Sequence, residues 1–156
     1  METKTNVMRI LDKAKIKYIP HFYNNDDGHI DGVSVADKIG KPYKSVFKTI
    51  VTKSGRDFFV FVVPVNLELN LKKCAKAVGQ KSVEMIHVSE INKATGYIRG
   101  GCSPIGMKKQ YTTVVDQSAL ECDTITFSGG KIGTQVEMSP HDLEKIIPLT
   151  FMSITN

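Results

Sequence analysis

Two long runs of β-branched and aromatic residues, separated by a tight polar turn, constrain this fold more than any other feature. Residues 46–52 read VFKTIVT and residues 57–65 read DFFVFVVPV, with KSGR between them. Such runs favour strands, and a short connection that contains glycine favours an antiparallel hairpin. The sequence therefore predicts a β-hairpin over residues 46–65.

Five other segments have the spacing and end signals of helices. In the first, apolar residues recur at helical intervals (Val7, Ile10, Leu11, Ala14), and Thr3 or Thr5 is the predicted cap. The second is VADKI, which Ser34 caps and Gly40 ends. The third is NLKKCAKAVG, which Asn70 caps and which places Leu71, Ala75 and Val78 on one face. The last two are a short helix that begins at Ser89 and SPHDLEKII, which Ser139 caps.

Short strands are predicted for KYIPHFY, where Pro20 favours a sheet edge, and for SVEMI, TTVVD, DTITFS and TQVEM. Strands outnumber helices and do not alternate strictly with them. We therefore expect an α+β fold in which residues 1–156 form one domain, with a mixed, barrel-like sheet and packed helices.

The net charge is +5, and lysine carries most of the positive charge because only Arg9, Arg56 and Arg99 are arginines. Lysine suits contact with a phosphate backbone better than the reading of base edges. The alternative is a basic domain without any nucleic-acid role. Three widely spaced cysteines argue against disulfides and suit the cytoplasm, and neither a signal peptide nor a membrane-spanning run is expected.

Several chemistries are excluded by missing motifs. The sequence has no C-x-x-C and no H-E-x-x-H, and its four histidines are scattered, so we expect no metal site. In GKPYKS, Pro42 stands where a phosphate-binding loop needs serine or threonine.

Lys48 interrupts a strand whose two faces are otherwise largely apolar, so we expect the strand to be buried on both sides. The lysine either reaches water from an edge position or lies in a cleft beside a reacting group. The glycine-rich segments RGGCSPIG and FSGGKIG either form tight connections or let the backbone approach a ligand.

Cys102, within the first of these segments, has two interpretations. A cysteine nucleophile needs a base or a lowered pKa, and Arg99 and Lys108 are the nearby cations that could lower it. The alternative is a small apolar residue that fills space.

The motifs VFKT, LNLKK, KSVEM, TGYIRGGCSPIGMKK and FSGGKIG occur in the order and spacing of the YbaK/EbsC family. The chain resembles that family over essentially its whole length. The family comprises free-standing relatives of the editing domain inserted in bacterial prolyl-tRNA synthetase, and within it the chain looks most like the deacylases of Cys-tRNA(Pro).

The resemblance implies the fold expected above and a set of site residues. Lys48 matches the family's essential lysine. Residues that match its substrate pocket are Tyr23, Thr49, Gly100, Gly101, Ser128 and Gly129. The implied partners are tRNA(Pro) charged with cysteine and, as a further candidate, prolyl-tRNA synthetase. The resemblance does not imply DNA or a membrane as a partner, and it implies no metal or cofactor.

The resemblance also implies a mechanism in which the substrate's own thiol attacks its ester and leaves as a thiolactone. Position 102 is variable in the family motif, so the motif does not demand a cysteine there. Some relatives carry an acidic residue at the position of Gln135, which affects the expected amino-acid preference. The alternatives are removal of alanine, serine or threonine, or an inactive module that binds tRNA or a synthetase.

Four lysines are expected to contact tRNA phosphates: Lys72, Lys73, Lys108 and Lys109. The alternative is that they form a solvated charged surface.

Overall fold

The predicted hairpin lies within a five-stranded sheet in the computed structural model, which describes residues 4–156. Its strands are β2 (Phe47–Ser54) and β3 (Asp57–Pro64), paired antiparallel with Ser54 opposite Asp57. The sheet is completed by β4 (Glu84–Met85), β5 (Thr112–Asp116) and β8 (Thr150–Met152), in the order β4-β2-β3-β5-β8. The β3–β5 and β5–β8 pairs are parallel, so the sheet is mixed as expected.

A second, three-stranded antiparallel sheet has the order β1-β7-β6. Its strands are β1 (Ile19–Phe22), β6 (Ile125–Lys131) and β7 (Thr134–Met138). Pro20 lies on the edge strand β1, as predicted. A single parallel bridge between Val46 and Thr126 joins the two sheets. The α+β class is confirmed, but the described residues form two sheets rather than a closed barrel, so the barrel-like part of the expectation is not confirmed.

The five helices are α1 (Asn6–Lys13), α2 (Gly32–Ile39), α3 (Leu71–Ala77), α4 (Val88–Thr95) and α5 (Pro140–Ile146) within the described residues. Thr5 caps α1, Asn70 caps α3 and Ser139 caps α5, as predicted. Thr3, the other predicted cap of α1, lies outside the described residues.

Other helix predictions were wrong in detail. Asp31, not Ser34, caps α2, because its carboxylate accepts a hydrogen bond from the Ser34 amide at 3.2 Å. Helix α4 begins at Val88 rather than Ser89, because the Glu90 carboxylate accepts the His87 amide in a capping box. On α3, Leu71 is exposed, and the buried residues are Cys74 and Ala75.

The main core lies between the two sheets and is covered by α1 and α5. Its fully buried side chains include Val7, Leu11, Phe127, Val136 and Leu143. A smaller core cluster, around Phe61 and Cys74, packs α3 against the other face of the five-stranded sheet. No helix of the described chain combines the length and the apolar character that crossing a membrane requires.

Candidate active site

A cleft of about 790 Å³ opens where β2 lacks a partner strand on one side. On the side away from β3, the described residues show one bridge to β6, made by Val46 just before β2, and ladder pairing with β4 from Thr52 onward. Residues between these two pairing points, including Lys48, Thr49 and Ile50, line the cleft. The site is therefore the fork between the two sheets.

Lys48 lies in this unpaired stretch of β2, opposite Val63 of β3. The Lys48 side chain is half-buried. Within residues 4–156, no carboxylate lies within ion-pairing distance of its ammonium. Other lysines do have such a partner: Lys4, Lys38, Lys41, Lys53 and Lys145. As expected, β2 has buried residues on both faces (Phe47, Val51 and Thr52), but at the cleft its middle residues, including Lys48, are only half-buried. Lys48 thus offers the cleft an uncompensated positive charge.

Thr49 provides a buried hydroxyl in the same wall. Its Oγ1 atom is inaccessible to solvent and has no hydrogen-bond partner among the described residues. Buried polar atoms without partners are uncommon in folded proteins. Thr49 therefore has unused hydrogen-bonding capacity beside Lys48.

The first glycine-rich segment contributes Gly100 but not Gly101 to the lining. Gly100 has a φ of +89°, which favours glycine; a Cβ there would lie 2.8 Å from Ile30 Cδ1, the end of a side chain that can move aside. Gly101 is buried behind the cleft, and its amide donates to the Ile98 carbonyl at 2.9 Å. The Gly101 amide is therefore engaged within the loop in this conformation.

The second segment contributes Ser128 but not Gly129 to the lining. Ser128 lies directly opposite Gln135 of β7, which also lines the cleft. Strand β6 does not end at Ser128 but continues to Lys131 through a bulge, and the Ser128 hydroxyl accepts the Gly130 amide at 3.1 Å. A Cβ on Gly129 would lie 2.9 Å from Thr134 Cγ2, so this glycine serves close strand packing.

Tyr23 is buried just beyond β1 and does not line the cleft. The Lys38 ammonium lies 5.8 Å from the centre of its ring. The Tyr23 hydroxyl is buried and has no partner among the described residues. The structure thus brings together Lys48, Thr49, Gly100 and Ser128, and it places Tyr23, Gly101 and Gly129 outside the lining.

Cys102 also lines the cleft, but its environment does not favour the thiolate. Burial raises the pKa of its thiol to about 11, and this outweighs a hydrogen bond with Thr95 that acts in the opposite direction. Arg99 lines the cleft, yet Lys108 does not. A thiol with this pKa is protonated at neutral pH and is a weak nucleophile.

Several lining residues were not predicted as site residues; Met85 belongs to the KSVEM motif, but the others come from segments without a recognisable motif. They include residues before and within α2 (Ile30, Asp31, Gly32, Val33) and residues of the β4–α4 segment (Met85, Ile86, Val88, Ile91). Gly32 must be glycine because a Cβ there would lie 2.4 Å from Val65 Cγ1. A glycine followed by a helix is too common a pattern to have marked this wall.

A buried ionic cluster fixes the chain beyond α2. Glu137 of β7 pairs with Lys41 at 2.9 Å and His21 at 2.8 Å, and its other oxygen accepts the Thr124 hydroxyl at 2.6 Å. Burial acts to raise the pKa of Glu137, but these hydrogen bonds and the Lys41 charge lower it to about 2. The cluster connects the segment after α2 to β1, to β7 and to the residue just before β6.

The lysines expected to contact tRNA are all exposed, and none of them lines the cleft. Lys73 donates to the Thr155 carbonyl at 2.8 Å, which holds the C-terminal segment on α3. In residues 4–156, no group of three or more metal-binding side chains converges.

Comparisons with known proteins identify relatives of this chain. The chain is 41% identical over 155 residues to EbsC of Enterococcus faecalis, named a candidate Cys-tRNA(Pro)/Cys-tRNA(Cys) deacylase, covering 99% of this chain and 94% of that protein. It is also 28% identical over 95 residues to the proline–tRNA ligase of Brachyspira hyodysenteriae, covering 60% of this chain and 16% of the ligase.

Two solved structures share the fold. One, described as a candidate trans-editing enzyme for prolyl tRNA synthetase, superimposes with a TM-score of 0.82 at 17% identity and covers 99% of both chains. The other, the hypothetical protein APE2540, has a TM-score of 0.88 at 18% identity and covers 97% of this chain and 100% of its own.

The profile of the aminoacyl-tRNA editing domain matches residues 31–146, a range that includes Lys48, both glycine-rich segments and most of the cleft lining. The chain belongs to the aminoacyl-tRNA editing domain family.

Proposed function

We propose that this protein is a trans-editing deacylase that removes cysteine from mischarged Cys-tRNA(Pro). The single observation that carries the proposal is the position of Lys48, which has no ion-pair partner among the described residues, in a cleft bordered by both glycine-rich segments of an editing domain. The name of the 41% identical relative supports cysteine as the amino acid. The match to proline–tRNA ligases supports tRNA(Pro) as the carrier and prolyl-tRNA synthetase as a partner.

The substrate is an ester between the cysteine carboxyl group and a ribose hydroxyl at the end of the tRNA. In the proposed reaction the substrate sulfur attacks the ester carbonyl carbon, and a carbon–sulfur bond forms. The carbon–oxygen bond to ribose then breaks, the ribose oxygen gains the proton lost by the thiol, and cysteine leaves as a thiolactone. The nucleophile is tethered to its target, so the substrate itself provides the proximity that catalysis needs.

The protein must then stabilise negative charge on the carbonyl oxygen or on the departing ribose oxygen. We assign this role to the Lys48 ammonium, because no carboxylate of residues 4–156 lies within ion-pairing distance of it. Preorganised charge in a cleft partly shielded from water is effective at this task. Lys48 is the proposed catalytic residue.

The other site residues have distinct proposed roles. Thr49 would line the aminoacyl pocket beside the β2 backbone, and Ser128 would contact the aminoacyl group from the opposite wall. Gly100 lets the loop approach the ester, while Gly101 and Gly129 hold the two segments in shape. Tyr23 would support the segment that leads into α2 from outside the cleft.

Cys102 has no part in the proposed chemistry. Its buried thiol has a pKa of about 11, so it is protonated at the pH at which translation occurs. The raised pKa favours attack by the thiol of the substrate over attack by the protein.

The test is a deacylation assay with the purified protein and four substrates: Cys-tRNA(Pro), Ala-tRNA(Pro), Ser-tRNA and Thr-tRNA. We expect rapid loss of cysteine with transient thiolactone, and slow loss of serine because a hydroxyl is a weaker nucleophile than a thiol. If alanine, serine or threonine were released faster than cysteine, that amino acid and not cysteine would be the substrate. Binding of tRNA without any deacylation would identify an inactive binding module.

A further inference from the structure

We propose that Met85 and Val88 form a stacking surface for the terminal adenine of the aminoacyl-tRNA. This inference rests on the proposed deacylase function, because it locates a second part of the same substrate. Nine large apolar side chains are exposed among the described residues. Of these, only Met85 and Val88 also line the cleft, with 51% and 56% of their surfaces accessible.

The two side chains are held in place by the backbone rather than by core packing. Met85 lies in β4, where it pairs with Thr52 of β2. Val88 is the first residue of α4, whose start is fixed by the capping box between His87 and Glu90. Below them, Ile86 and Ile91 are half-buried and continue the same wall into the cleft. An apolar surface is thus fixed at the cleft mouth while remaining open to water.

The geometry of the substrate places its terminal base at the mouth of the cleft. If the ester carbonyl lies beside Lys48, the ribose that carries it lies higher in the cleft, and the base on that ribose reaches the mouth. The face of a base is apolar, so it gains from contact with a fixed apolar surface without any hydrogen bond. Every tRNA ends in the same adenosine, so this position needs no sequence reading.

Charge at the cleft is consistent with a nucleotide in this position. The cationic groups in the lining are Lys48 and Arg99, and the anionic group is Asp31, whose carboxylate already caps α2. Arg99 is exposed and can contact the phosphate of the terminal nucleotide. The surface formed by Met85 and Val88 is continuous with the proposed active site, which distinguishes it from the exposed apolar side chains elsewhere, such as Leu120 and Met152.

The kinetic test compares Met85→Ser/Val88→Ser with Met152→Ser, which removes an exposed apolar side chain on β8. We expect the double substitution to raise the KM for Cys-tRNA(Pro) by about 5- to 10-fold relative to the KM for cysteine methyl ester, which lacks the nucleoside. We expect Met152→Ser to match the wild type. An unchanged KM for Cys-tRNA(Pro), or an equal loss on both esters, would overturn the proposal.

A binding test does not depend on catalysis. With the methionine methyl groups labelled with carbon-13, titration with AMP should shift the Met85 signal through the ring current of the base, and it should leave the Met152 signal unmoved. If the protein deacylates nothing but Met85 still shifts, the proposed reaction fails and the nucleotide subsite stands. If Met85 does not shift at saturating AMP, or shifts only when the protein dimerises, the surface serves another partner and the subsite is wrong.

Discussion

Ser128 and Gln135 lie directly opposite each other on β6 and β7, and both line the cleft that holds Lys48. The Ser128 hydroxyl accepts the Gly130 amide at 3.1 Å, which ties the wall of the cleft to the bulge beyond it. Gln135 adds an uncharged amide where a carboxylate would pair with a cation. The pair therefore keeps this wall of the cleft polar without adding a charge to it.

We expect Gln135→Glu to lower the rate of Cys-tRNA(Pro) deacylation by about 10-fold or more, because a new carboxylate in the cleft competes for the Lys48 ammonium. The measurement is kcat/KM for Cys-tRNA(Pro). Gln117→Glu, which adds the same charge at an exposed site outside the cleft, is the matched control. A variant Gln135→Glu that is as active as the wild type would show that this wall does not influence the lysine.

Cys102→Ala should retain most of the deacylation activity, within about 3-fold of the wild type, because a protonated thiol contributes little as a nucleophile. The variant should show no inactivation by thiol reagents at this position, and single-turnover kinetics would measure its rate. Trapping of a cysteinyl group on Cys102 of the wild-type protein, together with loss of activity in Cys102→Ala, would show that the protein supplies the nucleophile.

Reversal of the charges of Lys108 and Lys109 should weaken tRNA binding and reduce the slope of log affinity against log salt by about 1 to 2. The variant is Lys108→Glu/Lys109→Glu, and its control is Lys13→Glu/Lys17→Glu, which changes the net charge equally at two exposed lysines of the N-terminal region. Equal effects of the two double substitutions would indicate a general charge effect rather than a tRNA-binding patch.

The Glu137 cluster predicts a defined dependence of stability on pH. Because the folded pKa of about 2 is below the ordinary glutamate value of 4.5, the folded state holds this proton less tightly than the unfolded state. Its contribution to stability is therefore fully present above about pH 4.5 and is lost as the pH falls toward 2.

We expect Glu137→Gln to lower the free energy of unfolding at neutral pH by about 1–3 kcal/mol. Urea unfolding of both proteins from pH 7 downward would show this difference shrinking below pH 4.5. A difference that stays constant across that range would mean that the carboxylate charge is not what stabilises the cluster.

The sequence was informative where local signals suffice. The hairpin of β2 and β3 and the capped start of α5 each follow from a few neighbouring residues. Strand β8 was not predicted, because Thr150–Met152 is short and is stabilised by parallel pairing with β5, more than thirty residues earlier in the chain. Pairing over such a separation leaves no local periodicity to detect.

The candidate site was predicted in part for the same reason. Lys48 was identified because a charge inside an apolar strand is unusual, and the glycine-rich segments because glycine pairs are distinctive. The cleft itself arises from the gap between the Val46–Thr126 bridge and the Thr52–Met85 pair, which only the folded chain defines. The wall formed by Met85 and Val88 was therefore not predictable from the sequence.

The most direct test of the account is the single-turnover rate of Cys-tRNA(Pro) deacylation by Lys48→Ala, measured beside the wild type and beside Lys53→Ala, a lysine on the same strand that pairs with Glu90. If the Lys48 ammonium stabilises the reacting oxygen, the rate falls by ~10²–10³ in Lys48→Ala and changes little in Lys53→Ala. A folded Lys48→Ala protein that deacylates Cys-tRNA(Pro) at the wild-type rate would contradict the account.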